Sequence, residues 1–445
     1  MTQIKRQPYD PGPAAWNSIL PNGQKYPQLE ENINADWVVI GAGFAGLAAA
    51  KRLHELHPKD SIVILEARTI AEGPAGRNSG FMIDLPHNLS AQDYVGELNA
   101  DVLQTQMNRH AIDFSENISQ EYGFSAESFV KSGKINAAAT AKGVKHNLDY
   151  ASHLKSLNEA CELLDEHQMR DICGSNYYQG GLFTAGTAMI QPALFVREFA
   201  QGLAKNEISI YENSAVIEFE KEASNWLIKT EKAAISTPKV ILAVNGHIES
   251  FGYFKRRLVH IYLYASMTRK LTTSEIKDLG GEANWGFTPA DAMGTTVRKI
   301  SDIGGHRIVV RNQITYNPNF TVDKSKLDKF SKLHELAFSA RFPQLNEVDM
   351  EYFWGGALCL SRNNVPAFGE MEDGMYAACC QNGLGTVQGT LAGILAAEQA
   401  SVVDSNYLQR VLSQAQPSRL PPEPIAAIGA NAVMKWGEFK AGKEL

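Results

Sequence analysis

The chain has 445 residues, of which 44% are hydrophobic and 20% charged, and its formal net charge is −7 at pH 7. That length exceeds the usual size of one hydrophobic core, so we expect two domains or a discontinuous pair, and the composition excludes a disordered chain. The negative charge supplies no basic field for a phosphate backbone, which argues against nucleic acid as a main partner.

The five cysteines are an odd number without a CxxC pair. This pattern argues against a disulfide framework and a zinc cage, and it fits a reducing compartment. The first ten residues lack the apolar core of a secretory signal, and no run is apolar for long enough to span a bilayer. We therefore expect a cytoplasmic protein with no metal and no membrane span.

The clearest predicted unit follows an N-terminal arm. Residues 1–35 are rich in Pro, Asn and Gly and predict an extended arm, anchored by Trp16, whose role is packing. Residues 36–40 predict a buried strand, a glycine turn follows, and apolar residues at helical spacing predict a helix over 44–56. The apolar run 61–66 predicts a second parallel strand, which completes a βαβ unit.

The pattern changes twice along the rest of the chain. Residues 90–171 are polar with helical periodicity and predict an inserted helical region. An αβ passage with a small antiparallel ribbon follows, up to a buried strand at 239–244. Residues 257–353 contain β-rich segments and one helix, near 327–340, and predict a second domain. A strand and a helix over 386–400 then precede a Pro-rich tail.

A glycine motif stands between the first predicted strand and helix, with the sequence Gly41-Ala42-Gly43-Phe44-Ala45-Gly46. In such a GxGxxG, Gly41 permits the tight turn, Gly43 lets a pyrophosphate approach the backbone, and Gly46 lets helix and strand pack closely. Free N–H groups at the helix N-terminus favour phosphate. Glu66 ends the second strand, where its carboxylate can accept hydrogen bonds from a ribose. It disfavours NADP, although Arg68 keeps that option open, and the motif fits FAD as well as NAD.

Further segments carry a resemblance to a known family. They are Gly76-Arg77-Asn78-Ser79-Gly80-Phe81, residues 191–216, Val240-Ile241-Leu242-Ala243-Val244-Asn245-Gly246, residues 354–366 and Asn382-Gly383-Leu384-Gly385-Thr386. With the glycine motif, they resemble the superfamily of D-amino acid oxidase, glycine oxidase and sarcosine oxidase over nearly the full length after the arm. Within that superfamily the chain is most similar to the γ-glutamylputrescine oxidase branch.

The resemblance implies an FAD and assigns residues to it. The loop at 76–81 would run beside the flavin ring, Val216 would contact the adenine side, and the turn at 382–386 would point a helix at the pyrimidine end of the flavin. A helix N-terminus there would stabilise negative charge on the reduced ring. The cofactor-binding residues so predicted are Gly41, Ala42, Gly43, Phe44, Ala45, Gly46, Glu66, Ala67, Arg68, Arg77, Asn78, Ser79, Gly80, Val216, Ala243, Asn245, Gly246, Gly383, Leu384, Gly385 and Thr386.

The attachment of the flavin is a separate expectation. Cys359 lies close to the position at which sarcosine oxidases bind their flavin covalently, and its alternative role is that of a small buried thiol. We expect a non-covalent FAD.

The fold class expected from these features is α/β, or α+β overall, with a Rossmann-like FAD-binding domain and an inserted antiparallel β-sheet substrate domain. The expected boundaries are an arm at 1–35, the FAD-binding domain at 36–90, 175–256 and 354–415, the substrate domain at 91–174 and 257–353, and a C-terminal tail at 416–445.

Candidate substrate contacts lie in the predicted substrate domain. Alternation along one strand places His260, Tyr262 and Tyr264 on one face, and such a row can hold a cationic or polar amine; an ordinary half-buried strand is the alternative. Arg298 or Arg311 is the natural clamp for a substrate carboxylate, against the alternative of surface arginines. Arg307 is a further candidate for this role, and Trp285 and Trp354 are candidate walls of the pocket or core residues.

The function expected from the resemblance is oxidation of the C–N bond of a small amine or amino acid, with a secondary or N-substituted amine favoured. Hydride passes to flavin N5, and the resulting imine is hydrolysed. Oxygen or an electron carrier would then reoxidise the flavin. Two alternatives stay open at this point: a flavin-binding subunit that needs a partner chain, and a 2-hydroxy-acid dehydrogenase on the same fold.

Overall fold

A computed structural model describes residues 1–86, 98–301, 303–322 and 324–445. Its central element is a six-stranded sheet in which five strands run parallel and the edge strand β21 runs antiparallel. The strands, numbered in chain order, lie in the spatial order β11 (Ser209–Tyr211), β4 (Ile62–Leu65), β3 (Trp37–Ile40), β15 (Lys239–Leu242), β22 (Met375–Cys379) and β21 (Ala367–Glu372).

Helices cover this sheet, as a continuously apolar parallel sheet requires. Helix α2 (Phe44–Leu56) lies so close to α9 (Val387–Ala400) that a Cβ on Gly393 would be 2.1 Å from the Ala45 carbonyl oxygen. The other helices are α1 (Ala15–Ser18), α3 (Leu98–Glu121), α4 (Ala141–Ser156), α5 (Glu166–Cys173), α6 (Pro192–Lys205), α7 (Thr273–Leu279), α8 (Lys324–Arg341), α10 (Asn406–Leu412) and α11 (Ile425–Ala441).

A second, eight-stranded sheet forms the other half of the molecule. All its neighbouring strands are antiparallel except β17 and β7, which are parallel. Their spatial order is β20 (Met350–Ser361), β16 (Leu258–Thr268), β19 (Arg307–Tyr316), β18 (Thr296–Ile300), β17 (Trp285–Pro289), β7 (Lys134–Ala138), β9 (Gly180–Thr184) and β8 (Glu162–Asp165).

Two small sheets complete the fold, and one of them includes strands of the arm. A five-stranded sheet has the order β1 (Thr2–Gln3), β12 (Glu218–Glu222), β13 (Asn225–Lys229), β14 (Ala234–Thr237) and β2 (Ile33–Asn34). A three-stranded sheet has the order β5 (Phe81–Met82), β10 (Ala188–Ile190) and β6 (Phe129–Val130). The arm therefore supplies strands at both edges of one sheet, and Trp16 is fully buried as expected.

The expected fold class is confirmed, whereas the sheets divide the chain at slightly different residues. The eight-stranded sheet includes β9 and all of β20, so it extends to Thr184 and Ser361, beyond the boundaries at 175 and 354 expected for a substrate domain. The region expected to be helical also contributes β7 and β8 to this sheet, because long-range pairing overrides a weak local strand signal. The expected boundary at 90/91 lies outside the described residues.

The tail at 416–445 also differs from the expectation. It contains the 17-residue helix α11, of whose residues only Ala441 is buried. A helix without a buried stripe leaves no core-facing periodicity for a sequence pattern to detect. None of the described helices is long and apolar enough to cross a bilayer.

Candidate active site

A cavity of about 470 Å³ runs between the two large sheets. At one end it is lined by Gly41 and Glu66 of the six-stranded sheet, and at the other by Thr296 and Arg311 of the eight-stranded sheet. The turn at Gly383 borders it as well. The cavity therefore joins the segments that sequence analysis assigned to a dinucleotide and to a substrate.

The turn between β3 and α2 is built on close backbone contact. Gly41 has φ +102°, and a Cβ on Gly46 would lie 1.7 Å from the Gly41 carbonyl oxygen, so the fold itself requires glycine at both positions. A Cβ on Gly43 would meet only Ala75 Cβ, at 3.5 Å. Because Gly43 lines the cavity, its missing side chain leaves space for a ligand where the helix N-terminus begins.

The carboxylate of Glu66 is fixed by backbone amides. Its Oε2 accepts from the Ala42 N–H and its Oε1 from the Arg68 N–H, both at 3.0 Å. Burial raises the pKa of Glu66, and these two amide bonds oppose the rise. Glu66 and Val216 both line the cavity beside the glycine turn, and Val216 is buried. The carboxylate thus lies on the cavity wall in a fixed orientation.

The loop before β5 is held from several sides. Arg77 does not direct its guanidinium at the cavity: Nη1 donates to the carbonyl oxygens of Pro11, Gly12 and Gly355. Asn78 Oδ1 accepts from the Gly80 N–H at 2.8 Å. The backbone of this loop, from Arg77 to Gly80, lines the cavity.

A second glycine turn precedes α9. Gly383 has φ +86°, and a Cβ on Gly385 would have no atom within 4 Å. Thr386 Oγ1 donates to the Phe81 carbonyl oxygen at 2.6 Å, which ties the helix N-terminus to the loop at 76–81. Ala243, Asn245, Gly246 and Leu384 also line the cavity. The missing side chain at Gly385 therefore leaves open space on the cavity wall.

The structure corrects the expected orientation of β16. His260, Tyr262 and Tyr264 are buried on the side away from the cavity. Tyr262 Oη donates to the carbonyl oxygens of Tyr9 and Phe320, at 2.8 and 3.0 Å, and His260 Nε2 is 2.8 Å from Glu249 Oε2. The cavity is lined instead by the opposite, apolar face, with Ile261, Leu263 and Ala265. Alternation identified the two faces correctly, but both faces are covered, so alternation does not tell which of them contacts a ligand.

The two candidate arginines, Arg298 and Arg311, differ in whether they line the cavity. Arg298 lies outside the cavity lining: Nη1 donates to the carbonyl oxygens of Ser79, at 3.2 Å, and Ile190, at 2.5 Å, and the guanidinium lies over the Trp16 ring. It is a positioning residue for the loop at 76–81. Arg307 bonds to Thr268 and Glu351, also away from the cavity.

Arg311 is the candidate that reaches the cavity. Its Nη2 donates to Thr296 Oγ1 at 3.0 Å, and its buried Nε has no hydrogen-bond partner among the described residues. Burial lowers the pKa of Arg311 to about 10. A half-buried cation with a buried, unused donor on a cavity wall favours an anionic ligand group.

Several cavity residues were missed by sequence analysis. Arg6 and Gln7 of the arm line the cavity, so the arm does more than pack. His247 also lines it; burial lowers the pKa of this histidine to about 4, which keeps the ring neutral. Nothing in the local pattern marks these three residues, because tertiary folding alone brings them to the cavity. Trp285 and Trp354 prove to be core residues, with Trp354 Nε1 donating to the Arg77 carbonyl oxygen at 3.0 Å.

Cys359 lines the cavity as a buried thiol. Its Sγ is 3.2 Å from Asn245 Oδ1, and the neighbouring Cys380 together with burial raises the pKa of the Cys359 thiol well above 9. A thiol held protonated is a poor nucleophile. All five cysteines are free, and no group of described His, Cys, Asp and Glu residues could hold a metal ion.

Comparison with known proteins identifies the family. Residues 36–399 match the family described as FAD dependent oxidoreductase, DAO. The chain belongs to this family. It is an FAD-dependent oxidoreductase, and the space at Gly43 and Gly385 fits that cofactor. The residues that would hold it are those of the two glycine turns, the loop at 76–81 and Glu66.

Individual relatives are distant but cover most of the chain. The probable oxidoreductase OrdL of Haemophilus influenzae is 24% identical over 382 residues, which are 84% of each chain. The gamma-glutamylputrescine oxidoreductase of Escherichia coli is 23% identical over 386 residues, 83% of this chain and 84% of its own length. The crystal structure of glycine oxidase from Geobacillus kaustophilus has a TM-score of 0.70 at 14% identity, and the match covers 87% of this chain and all of that one.

We predict that Gly43 and Gly46 of the first turn have different roles: Gly43 leaves space for the flavin cofactor, and Gly46 is needed for the stability of the protein itself. The Cβ of Gly43→Ala would meet no backbone atom, so the apoprotein should unfold at the same temperature as the wild type. Its flavin affinity should fall by about tenfold or more, as expected when an amide contact to a charged group is lost. Gly46→Ala should destabilise the apoprotein itself because its Cβ overlaps the Gly41 carbonyl. Thermal unfolding of both apoproteins and flavin titration check this. Equal destabilisation by both changes would contradict it.

Lys134 yields a prediction about pH. This lysine is buried beside the cavity wall, where Nζ donates to Asn136 Oδ1 and, at 3.2 Å, to Thr288 Oγ1. Burial lowers its pKa to about 8, although Asp84 opposes the change. The unfolded chain therefore binds more protons above pH 8, and the free energy of unfolding should rise with pH from about 8 to about 10.

The variant Lys134→Met should lack this rise. Relative to Lys134→Met, wild type should gain about 2 kcal/mol of unfolding free energy between pH 8 and pH 10. Denaturant unfolding at both pH values measures the difference. The same pH dependence in both proteins would show that the lysine is charged in the folded state throughout this range.

Proposed function

We propose that this oxidoreductase oxidises the C–N bond of a small amine that carries a carboxylate, with secondary or N-substituted amines favoured. The single observation that carries the proposal is Arg311, a half-buried cation on the wall of the cavity whose buried Nε donor is unused. The names of two similar proteins, gamma-glutamylputrescine oxidoreductase and glycine oxidase, support amine and amino-acid chemistry.

The cofactor would be a non-covalent FAD. Its pyrophosphate would meet the amides of the turn at Gly41–Gly46, its ribose Glu66 and its adenine Val216, while its ring would lie between the loop at 76–81 and the turn at Gly383. When bound, the flavin accepts the hydride that leaves the substrate carbon. The N-terminus of α9 would stabilise negative charge at the pyrimidine end of the ring.

The substrate half of the cavity would act through positioning and desolvation. Arg311 would clamp the carboxylate, and Thr296 would hold the guanidinium in place. The apolar row Ile261, Leu263 and Ala265 would favour the neutral amine over the ammonium ion, because a low-polarity wall disfavours charge. Of the described residues that line the cavity, the only carboxylic acid is Glu66, which lies at the other end. The proposal therefore assigns the main catalytic role to orientation of the substrate, and not to a side-chain base beside Arg311.

The product is an imine, which water hydrolyses. Two electrons remain on the cofactor, and oxygen or an electron carrier removes them. Reoxidation in air by itself distinguishes an oxidase from a dehydrogenase.

The test is anaerobic reduction of the purified yellow protein by matched substrates. N-methyl amino acids and γ-glutamyl amines that carry a carboxylate should bleach the flavin, whereas the same amines as methyl esters or decarboxylated analogues should bleach it far more slowly. Bleaching by 2-hydroxy acids alone would replace the proposal with hydroxy-acid oxidation. Bound flavin that none of these compounds reduces would indicate a subunit that needs a partner chain.

Arg311→Met is predicted to raise the substrate concentration for half-maximal bleaching by roughly 100-fold, because it removes the charged partner of a buried carboxylate. Flavin binding should stay unchanged. Arg307→Met is the matched control, since Arg307 lies on the same strand β19 but bonds to Thr268 and Glu351 outside the cavity. Equal effects of the two changes on substrate concentration would refute a clamp at Arg311.

A further inference from the structure

Helix α11 presents an apolar face to solvent. Its exposed large side chains include Phe439, Val433 and Ile428, which are 77%, 72% and 66% exposed. Ile425 and Trp436 are each 59% exposed. Isolated apolar residues are common on protein surfaces, but five on one helix form a patch that calls for a binding role.

These residues lie along one stripe. The spacing 425, 428, 436 and 439 keeps the side chains within about one third of the helix circumference, with Val433 at its margin. Lys435 and Lys440 fall at the two edges of the stripe, and both are exposed. Lys440 Nζ lies 5.2 Å from the centre of the Trp436 ring. The face is therefore apolar in the middle and positive at both margins.

The opposite face is fastened to the substrate domain. A Cβ on Gly437 would be 2.7 Å from Met293 Cγ, and Ala441 is buried. Just beyond the helix, the buried Glu444 accepts from the backbone N–H groups of Ala139 and Thr140. These contacts fix which side of α11 faces outward, so the apolar stripe is the outer surface of a docked helix.

The sign of the charge indicates what covers this stripe. The chain has a net charge of −7, yet exposed Lys435 and Lys440 flank the apolar residues. The helix's own acid, Glu438, is half-buried, and burial raises its pKa. A second copy docked through the same face would bring lysines against lysines. An anionic surface with an apolar interior matches both features.

We propose that α11 docks the protein on an anionic lipid surface. Trp436 and Phe439 enter the boundary between headgroups and acyl chains, and Lys435 and Lys440 contact anionic headgroups. Helix α11 and the cavity share a segment of chain: Pro289 and Ala292 line the cavity, and Met293 contacts α11. The lipid surface thus lies next to the substrate domain.

Flotation of the holoenzyme with vesicles tests this proposal. Wild type should float with vesicles that contain phosphatidylglycerol, and much less with pure phosphatidylcholine or at high salt. Trp436→Ser/Phe439→Ser and Lys435→Glu/Lys440→Glu should each lower the floated fraction by about tenfold. Val402→Ser and Lys59→Glu are matched controls at exposed sites elsewhere, and they should float like wild type.

Two kinds of result would overturn the proposal. One is a flotation result: wild type stays at the bottom of the gradient with every vesicle, or the α11 variants float as well as wild type does. In the other, light scattering shows a wild-type dimer that Trp436→Ser/Phe439→Ser converts to a monomer, which would assign the face to a second copy. Retained flavin absorbance and thermal unfolding of each variant show that it is folded.

Discussion

The approach of α2 to β3 is the contact on which the rest of the site depends. With 1.7 Å between a Cβ at Gly46 and the Gly41 carbonyl oxygen, only glycine permits the crossing, and the crossing aims the N-terminus of α2 into the cavity. Glu66 then closes the turn by accepting from Ala42. A positive helix end, an open Gly43 and a fixed carboxylate are consequences of one backbone geometry, and together they fit the phosphates and ribose of FAD.

The second half of the site is arranged around this turn by contacts that few sequence patterns reveal. Arg298 donates to the Ser79 carbonyl oxygen, and Trp354 donates to that of Arg77, so side chains of the eight-stranded sheet hold the loop at 76–81. Thr386 ties α9 to the same loop. Residues of both halves therefore line one cavity.

Sequence patterns predicted the local elements of the fold well. The βαβ unit, its glycine turn and Glu66 follow from strict local requirements, and the structure has α2 over the expected residues. Side-chain partners follow from long-range packing instead. Alternation on β16 could not show that Tyr262 bonds to the arm while Leu263 faces the cavity. For the same reason, the arm residue Arg6 and the outward face of α11 became visible only in the folded chain.

The central claim is that this chain holds a flavin in the cavity between its two sheets. The most direct measurement is the flavin content of the purified protein, determined by absorbance and chromatography of the supernatant after heat release. We propose a non-covalent FAD, so the account predicts one FAD per chain that is released without proteolysis. A supernatant without flavin, from a protein that also binds none on addition, would contradict the account.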